Sequence, residues 1–256
     1  MEPINWYGTY SLTLREVKRF IRVYNQTLIT PAISALIFLA VFALAVGAKR
    51  HEINGIKFIN FMGYGLIIMS IVQNAFGNSS SSLIMSKIIG YISDILTPPL
   101  GSKEIIIAFT IGAVLRGLMV GIIVTISLIP FVEFNLYHPL LLAFYILASC
   151  TLLGKLGILS GMIANSFDQH SAITSYLITP LSFLSGTFYS VKDLPQILQQ
   201  INFFNPFFYM IDGFRSGFIG FAETDHQVGL IMITVIDILL VLLAWIMLRV
   251  GYKTKF

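Results

Sequence analysis

Residues 179–207 read TPLSFLSGTFYSVKDLPQILQQINFFNPF. The stretch opens as sequence soluble in hydrocarbon and breaks at Ser190-Val191-Lys192-Asp193-Leu194-Pro195. It resumes with Ile197, Leu198, Ile201, Phe203 and Phe204 and stops again at Asn205-Pro206. A membrane-spanning helix needs roughly 20 apolar residues. The second piece is too short for that and too apolar for an ordinary loop, so its destination decides the architecture around it.

The surrounding chain is apolar throughout. Of 256 residues, 56% are hydrophobic and 11% charged, against about 25% charged in soluble domains. Six spans are expected, over residues 27–46, 59–79, 105–130, 139–164, 171–190 and 228–248. No secretory leader is expected, because the first long apolar run follows a charged segment and no small-residue cleavage pattern succeeds it. The single cysteine, Cys150, excludes an internal disulfide, and no Cys/His spacing suggests a metal site. The net charge of +4 bears on orientation and lipid headgroups. Basic residues do not cluster with aromatics as a nucleic-acid surface would require. No residue stands out as catalytic, cofactor-binding or metal-binding.

With the N-terminus placed inside, the inner segments carry Arg15, Lys18, Arg19, Arg22, Lys87, Lys103, Arg249, Lys253 and Lys255. The outer ones carry Lys49, Arg50, Lys57, Lys192 and Arg215. The excess inside predicts that both termini are cytoplasmic. Residues 1–26 read as an amphipathic helix. Thr13-Leu14-Arg15-Glu16 matches a capping box, and Leu14, Val17, Ile21 and Tyr24 recur at helical spacing opposite Arg15, Lys18, Arg19 and Arg22. Such a helix lies in the membrane interface; a soluble tail helix is the alternative. The segment after the second span begins with Ser79–Ser82. It continues with Leu83, Ile84, Ile88, Tyr91, Ile92 and Ile95 at helical intervals and stops at Thr97-Pro98-Pro99. It reads as a short amphipathic inner helix. No internal repeat is evident.

The fifth span ends outside and the sixth starts outside, so residues 191–215 leave and return on one face. A helix over 194–204, opened by Asp193, followed by apolar Phe207–Phe214, predicts a re-entrant helical hairpin that plugs or lines an outer pathway. Backbone at that depth must be packed in protein or face water. An interfacial loop with aromatic anchors is the alternative.

Residues 179–189, then Leu194-Pro195, Asn205-Pro206 and Asp212-Gly213-Phe214-Arg215, together with the inner Asp94–Pro99, follow one another in an order that resembles permease subunits of the ABC-2 family. These are the membrane halves of ATP-binding-cassette exporters. The resemblance implies a homodimer joined to two separate ATPase subunits. It implies a coupling helix over 82–99, with Lys87, Tyr91, Asp94, Leu96, Pro98, Pro99 and Glu104 facing the ATPase and the N-terminal helix beside it. Leu194, Pro195, Asn205, Pro206 and Arg215 would form an outer gate. A bacterial inner membrane is the expected location. The cargo would be amphipathic (a lipid, glycan, glycolipid or drug), passing walls of aromatic and aliphatic side chains from spans two and five.

The chain carries no ATP-binding pattern of its own. Leu184-Ser185-Gly186 is followed by Thr187-Phe188, and Gly154-Lys155 by Leu156 within a span. A phosphate cradle needs its glycines on a soluble strand-to-helix turn.

Three ionisable residues fall inside spans: Arg116, Lys155 and Asp237. At about 1.5 Å per residue all three reach one level, so Asp237 is expected to neutralise Arg116 or Lys155. A proton-site role for Asp237, as in an ion-coupled transporter, is an alternative, as is Lys155 snorkelling to the interface. Gly154, Gly157, Ser160 and Gly161 read as a close-packing stripe. His51, His138, His170 and His226 read as solvated loop residues. An integral membrane enzyme would need clustered carboxylates, His or Cys, and the acidic residues are scattered.

Overall fold

A computed structural model describes residues 4–47, 51–96 and 98–251, with Val46 and Leu96 as backbone only. Thr97, Lys49, Arg50, Lys253 and Lys255 lie outside the described residues. The chain runs through α1 (Trp6–Arg22), α2 (Thr30–Phe42), β1 (Glu52–Ile53), β2 (Ile56–Lys57) and α3 (Phe58–Ile89). It continues through α4 (Ile92–Leu96), α5 (Ser102–Leu128), α6 (Pro139–Ile163), α7 (Phe167–Ile173) and α8 (Thr179–Leu184). It closes with α9 (Gln196–Phe203), α10 (Pro206–Ile219) and α11 (His226–Val250). The two strands form one small antiparallel hairpin, turned at Asn54-Gly55 with φ of 52° and 77°, the left-handed pair that such a tight turn requires.

Among the described residues, five helical stretches are long and apolar enough to cross a membrane: Asn25–Ala45, Phe58–Ile89, Ser102–Leu128, Pro139–Ile163 and His226–Val250. The protein is an all-α, multi-pass membrane protein. The expected fifth span differs from the other five. Its helix starts earlier, at Phe167, where Asp168, Gln169 and His170 make the first turns polar, and it ends at Leu184. There the chain turns at Gly186, whose φ of 77° is open to glycine.

A π-turn, Thr174–Ile178, interrupts this helix just before Pro180, and another, Asn25–Ile29, stands just before Pro31. Both end within the same four residues, Leu-Ile-Thr-Pro, at 28–31 and 177–180. Proline has no N–H to donate and its ring crowds the preceding turn, and one extra residue in that turn relieves both.

α3 is the centre of the bundle, packed chiefly against α6 and α5. It does not break at the four serines, as expected, but runs 32 residues to Gly90, which closes it at φ 87°. The serines stay helical because their hydroxyls bond back one turn. Ser80 donates to the Phe76 carbonyl (2.8 Å) and Ser86 to that of Ser82 (2.8 Å). Their small size also lets α6 approach. A Cβ on Gly157 would stand 2.5 Å from the Phe76 carbonyl, and one on Gly161 2.7 Å from the Leu83 Cβ. The separate helix after α3 is thus α4 alone, residues 92–96, not 82–99.

Two further expectations are corrected. Thr13 lies in the middle of α1, and its hydroxyl bonds the Thr9 carbonyl. The helix is capped instead by Asn5, which accepts from the Gly8 N–H at 2.9 Å, so Thr13–Glu16 is no capping box. Asp193 sits in a 3-10 turn, Val191–Asp193, and α9 begins only after Pro195. The proline holds Leu194 extended, at ψ 155°, out of helical range.

Candidate functional site

At one end of the bundle α1 lies across α5 and the last turns of α3. It presents three faces. Thr9, Leu12, Glu16 and Phe20 are buried against the bundle. Trp6, Tyr10, Ile21 and Tyr24 are exposed on the next face, and Arg15, Lys18 and Arg22 follow beyond it. The apolar side read from the sequence is therefore the outward one. The side that docks carries a carboxylate, Glu16, with no exposure. It is tied to α3 by the Ser82 hydroxyl, which donates at 2.8 Å. Arg19 reaches α3 as well, donating to the Asn78 carbonyl (2.7 Å), its side-chain oxygen (3.0 Å) and Ser81 (3.2 Å). Glu16 and Arg19 themselves pair at 3.4 Å. α1 is thus tied to α3 by charge-assisted hydrogen bonds, each roughly twice as strong as a neutral one.

Between α1 and the α3–α4 corner lies an open groove of about 1160 Å³. Arg15, Lys18 and Arg22 line one wall, and Tyr91, Asp94, Pro98 and Pro99 the other. Of the expected coupling residues, these last four are exposed, and only the backbone of Leu96 is described. Lys87 and Glu104 turn inward. Glu104 accepts from the Asn5 N–H at 3.3 Å and fastens the start of α1. Lys87 donates to the carbonyls of Met162 (2.7 Å), Ala164 (2.6 Å) and Gly161 (3.3 Å) at the end of α6. A cation there answers both the open carbonyls and the helix dipole. We expect Lys87→Ala to destabilise the chain in detergent by about 1.5–3 kcal/mol, the usual worth of a hydrogen bond from a charged group, whether or not a partner is bound. The thermal midpoint is the readout. An effect seen only with a partner present would assign Lys87 to docking instead.

At the opposite end, α9 and α10 meet at Asn205-Pro206. α9 stays on the surface, with Ile197, Ile201, Phe203 and Phe204 exposed. α10 is the arm that enters the bundle, buried from Phe207 to Gly217. Polar side chains fasten it. Asn205 caps α10 by accepting from the Phe207 N–H (3.1 Å) and donates to the Ser185 hydroxyl (2.8 Å) where α8 ends. Asp212 accepts from the N–H groups of Glu223 (3.0 Å) and Thr224 (2.9 Å). Glu223 in turn accepts from the Val191 N–H (3.2 Å) and Asn54 (3.0 Å). Arg215, 4% exposed, donates to the Gly186 carbonyl at 2.6 Å and lies over the Phe61 ring at 3.6 Å. Leu194 is half-buried and Pro195 exposed, outside this network. On the same side, Glu133 accepts from Lys57 at 2.7 Å. That hydrogen bond, then the ammonium charge, holds the Glu133 carboxyl below the usual carboxylate range.

Midway between the ends, Lys155 on α6 stands 2.5 Å from Asp237 on α11. Arg116 on α5 does not join them; it donates to the Asn74 side chain at 2.9 Å.

α3 is buried over residues 60–84 except at Ser70, Gln73, Asn74, Gly77 and Ser81, all on one face and none of them apolar. The face that α3 leaves open is thus polar, where aromatic and aliphatic side chains were expected. The exposed residues of the fifth span are mixed: Ser171 and Ser175 are polar, while Tyr176, Leu177 and Pro180 are not.

The ABC-2 type transporter family model matches residues 7–219. The chain belongs to the ABC-2 type transporter family. It is also similar to the inner membrane transport permease YadH of Escherichia coli (strain K12) and of Shigella flexneri, 32% identical over 251 residues and 98% of each chain in both cases. The chain is accordingly a transport permease rather than an enzyme. The ABC-2 match takes in α1, the groove and all of α10, and it ends at Ile219, where α10 ends.

Several residues of this ABC-2 permease are not visible in the sequence pattern. Glu16, Arg19 and Asn78 are hidden because Leu12-x-x-x-Glu16-x-x-x-Phe20 looks like a weaker apolar stripe than Leu14–Tyr24. Asp212 and Glu223 act through backbone N–H groups, which leave no trace in side-chain patterning. His170 is half-buried, and its ring stacks on Phe76, with centroids 6.0 Å apart.

Proposed function

We propose that this chain is the membrane subunit of an ATP-driven exporter for an amphipathic cargo, powered by separate ATP-binding-cassette subunits that dock in the groove between α1 and α4. In this reading the groove faces the cytoplasm, with both termini on that side of a bacterial inner membrane, and two copies of the chain face each other across the pathway. The observation that carries the reading is the groove itself. Tyr91, Asp94, Pro98 and Pro99 stand exposed opposite a basic wall, and α1 is joined from there to the open face of α3 through Arg19, Asn78 and Ser81. ATP-driven closure of the partner pushes on α4 and α1. Arg19 and Glu16 pass the displacement to α3, and the polar stripe of α3 shifts against its counterpart in the second copy. The α9–α10 hairpin re-enters the outer leaflet and closes the far end, held shut by Arg215 and Asp212. The basic wall calls for acidic groups on the docking surface of the ATPase.

The test is co-purification with the ATP-binding-cassette ATPase encoded beside it. Tyr91→Ala with Lys18→Glu changes exposed groups only, so the thermal midpoint of the permease is expected to stay put while recovery of the ATPase falls at least about tenfold, the equivalent of one good contact of ~1.4 kcal/mol. Undiminished recovery would place the docking surface elsewhere.

A further inference from the structure

Arg116 has no carboxylate partner among the described residues. Its one hydrogen bond goes to the neutral Asn74 side chain, and its Nε is buried with no acceptor. One turn along α3 from Asn74, the Asn78 position already holds a second cation, Arg19. Arg116 is half-buried, and charges inside a membrane bundle are paired or face water. A second copy of the chain does not cure this. Asp237 is taken by Lys155, Glu16 by Arg19 and Ser82, and Asp212 by residues 223–224. The other described carboxylates lie near the ends of the bundle.

The surroundings of Arg116 have two characters. On one side lies the polar stripe of α3, where Gln73 and Asn74 keep partial exposure. On the other, Ile111, Leu115 and Ile122 expose an apolar strip of α5, between 38% and 59% open.

We propose that Arg116, with Asn74 and Gln73, forms a binding site for the anionic headgroup, phosphate or carboxylate, of an amphiphile whose chains lie along the α5 strip. This deepens the proposed function by assigning the cargo a negative charge, and so rests on that reading. Arg19, held at Asn78 one turn along α3, adds positive potential. The anion supplies the missing counter-charge, and passage along α3 hands it between polar groups rather than into hydrocarbon.

The test uses the full chain in the neutral detergent dodecyl maltoside, without the ATPase, so its outcome is independent of whether docking occurs. Thermal midpoint and calorimetric binding are followed with dodecyl phosphate, zwitterionic dodecylphosphocholine and inorganic phosphate. Dodecyl phosphate is expected to bind and to raise the midpoint, with the other two far weaker. Arg116→Gln is expected to weaken that binding at least about tenfold, Arg116→Lys to keep most of it, and Arg15→Gln/Lys18→Gln/Arg22→Gln on α1 to leave it intact. Asn74→Asp places a carboxylate beside Arg116. It is expected to raise the midpoint while abolishing the response to dodecyl phosphate, which a merely structural arginine would not show. Equal binding by wild type and Arg116→Gln, or a full response in Asn74→Asp, would overturn the proposal. Inorganic phosphate matching dodecyl phosphate would assign the site to a free anion and overturn the amphiphile.

Discussion

Asp237→Asn is expected to destabilise the purified chain by about 3–5 kcal/mol, the usual cost of stranding one member of a buried ion pair. Lys155 and Asp237 meet at 2.5 Å with side chains 9% and 23% exposed. The setting magnifies the effect. α11 buries only Gly229, Ile233 and Ala244, and in lipid there is no hydrophobic drive to hold helices together, only packing and polar contacts. The pair is therefore the principal specific tie between α11 and α6. Removing the negative charge leaves an ammonium among Leu and Gly side chains of α6. Replacing both charges, as Lys155→Met with Asp237→Leu, is expected to recover most of the stability, because the desolvation of two ions disappears along with their attraction. A double-mutant cycle on thermal midpoints in detergent checks this. If the double variant also keeps ATP-driven transport, Asp237 is not a proton site. Unchanged midpoints in both single variants would show that the pair does not hold α11.

Arg215→Ala is expected to open the far end of the bundle. Arg215 satisfies the Gly186 carbonyl exposed by the turn after α8, and its planar guanidinium covers the Phe61 ring. Truncation removes a charge-assisted hydrogen bond of about 1.5–3 kcal/mol and a cation–π interaction of up to about 2 kcal/mol, and it leaves a void between α10, α3 and the turn. Arg215→Lys is not expected to rescue, since an ammonium on a flexible stem does not reach the carbonyl and stack on the ring at once. The readouts are the thermal midpoint and the leak of a small dye from vesicles containing the chain. Both variants are expected to leak without ATP; tight vesicles with a normal midpoint would remove Arg215 from the closure.

The long elements are plain in the sequence. Five spans are readable because apolar runs of this length have no other stable solvent. The inward arm of the hairpin is half readable. Asn205-Pro206 announces the start of α10, but nothing in Phe207–Phe214 says that this piece is buried while Ile197–Phe204 is not. That choice is made by Gly213, where an added Cβ would stand 2.1 Å from the Tyr145 ring, and by Arg215, Asp212 and Asn205, whose partners lie 11 to 29 residues away. The serine run misleads because serine is a poor helix former in isolation. In α3 its hydroxyls find carbonyls one turn back, and its size admits the glycines of α6. The groove is readable only in part. Proline places Pro98 and Pro99 at an exposed corner, but Lys87 and Glu104 resemble surface charges until the carbonyls of α6 and the N–H of Asn5 are seen beside them.

The most direct test is transport by vesicles reconstituted with the purified chain, with and without the neighbouring ATP-binding-cassette ATPase, using a fluorescent anionic lipid as cargo. The account predicts no ATP hydrolysis and no directional movement with the chain alone, and both once the ATPase and ATP are added. Directional movement by the chain alone, with no nucleotide hydrolysed, would contradict it.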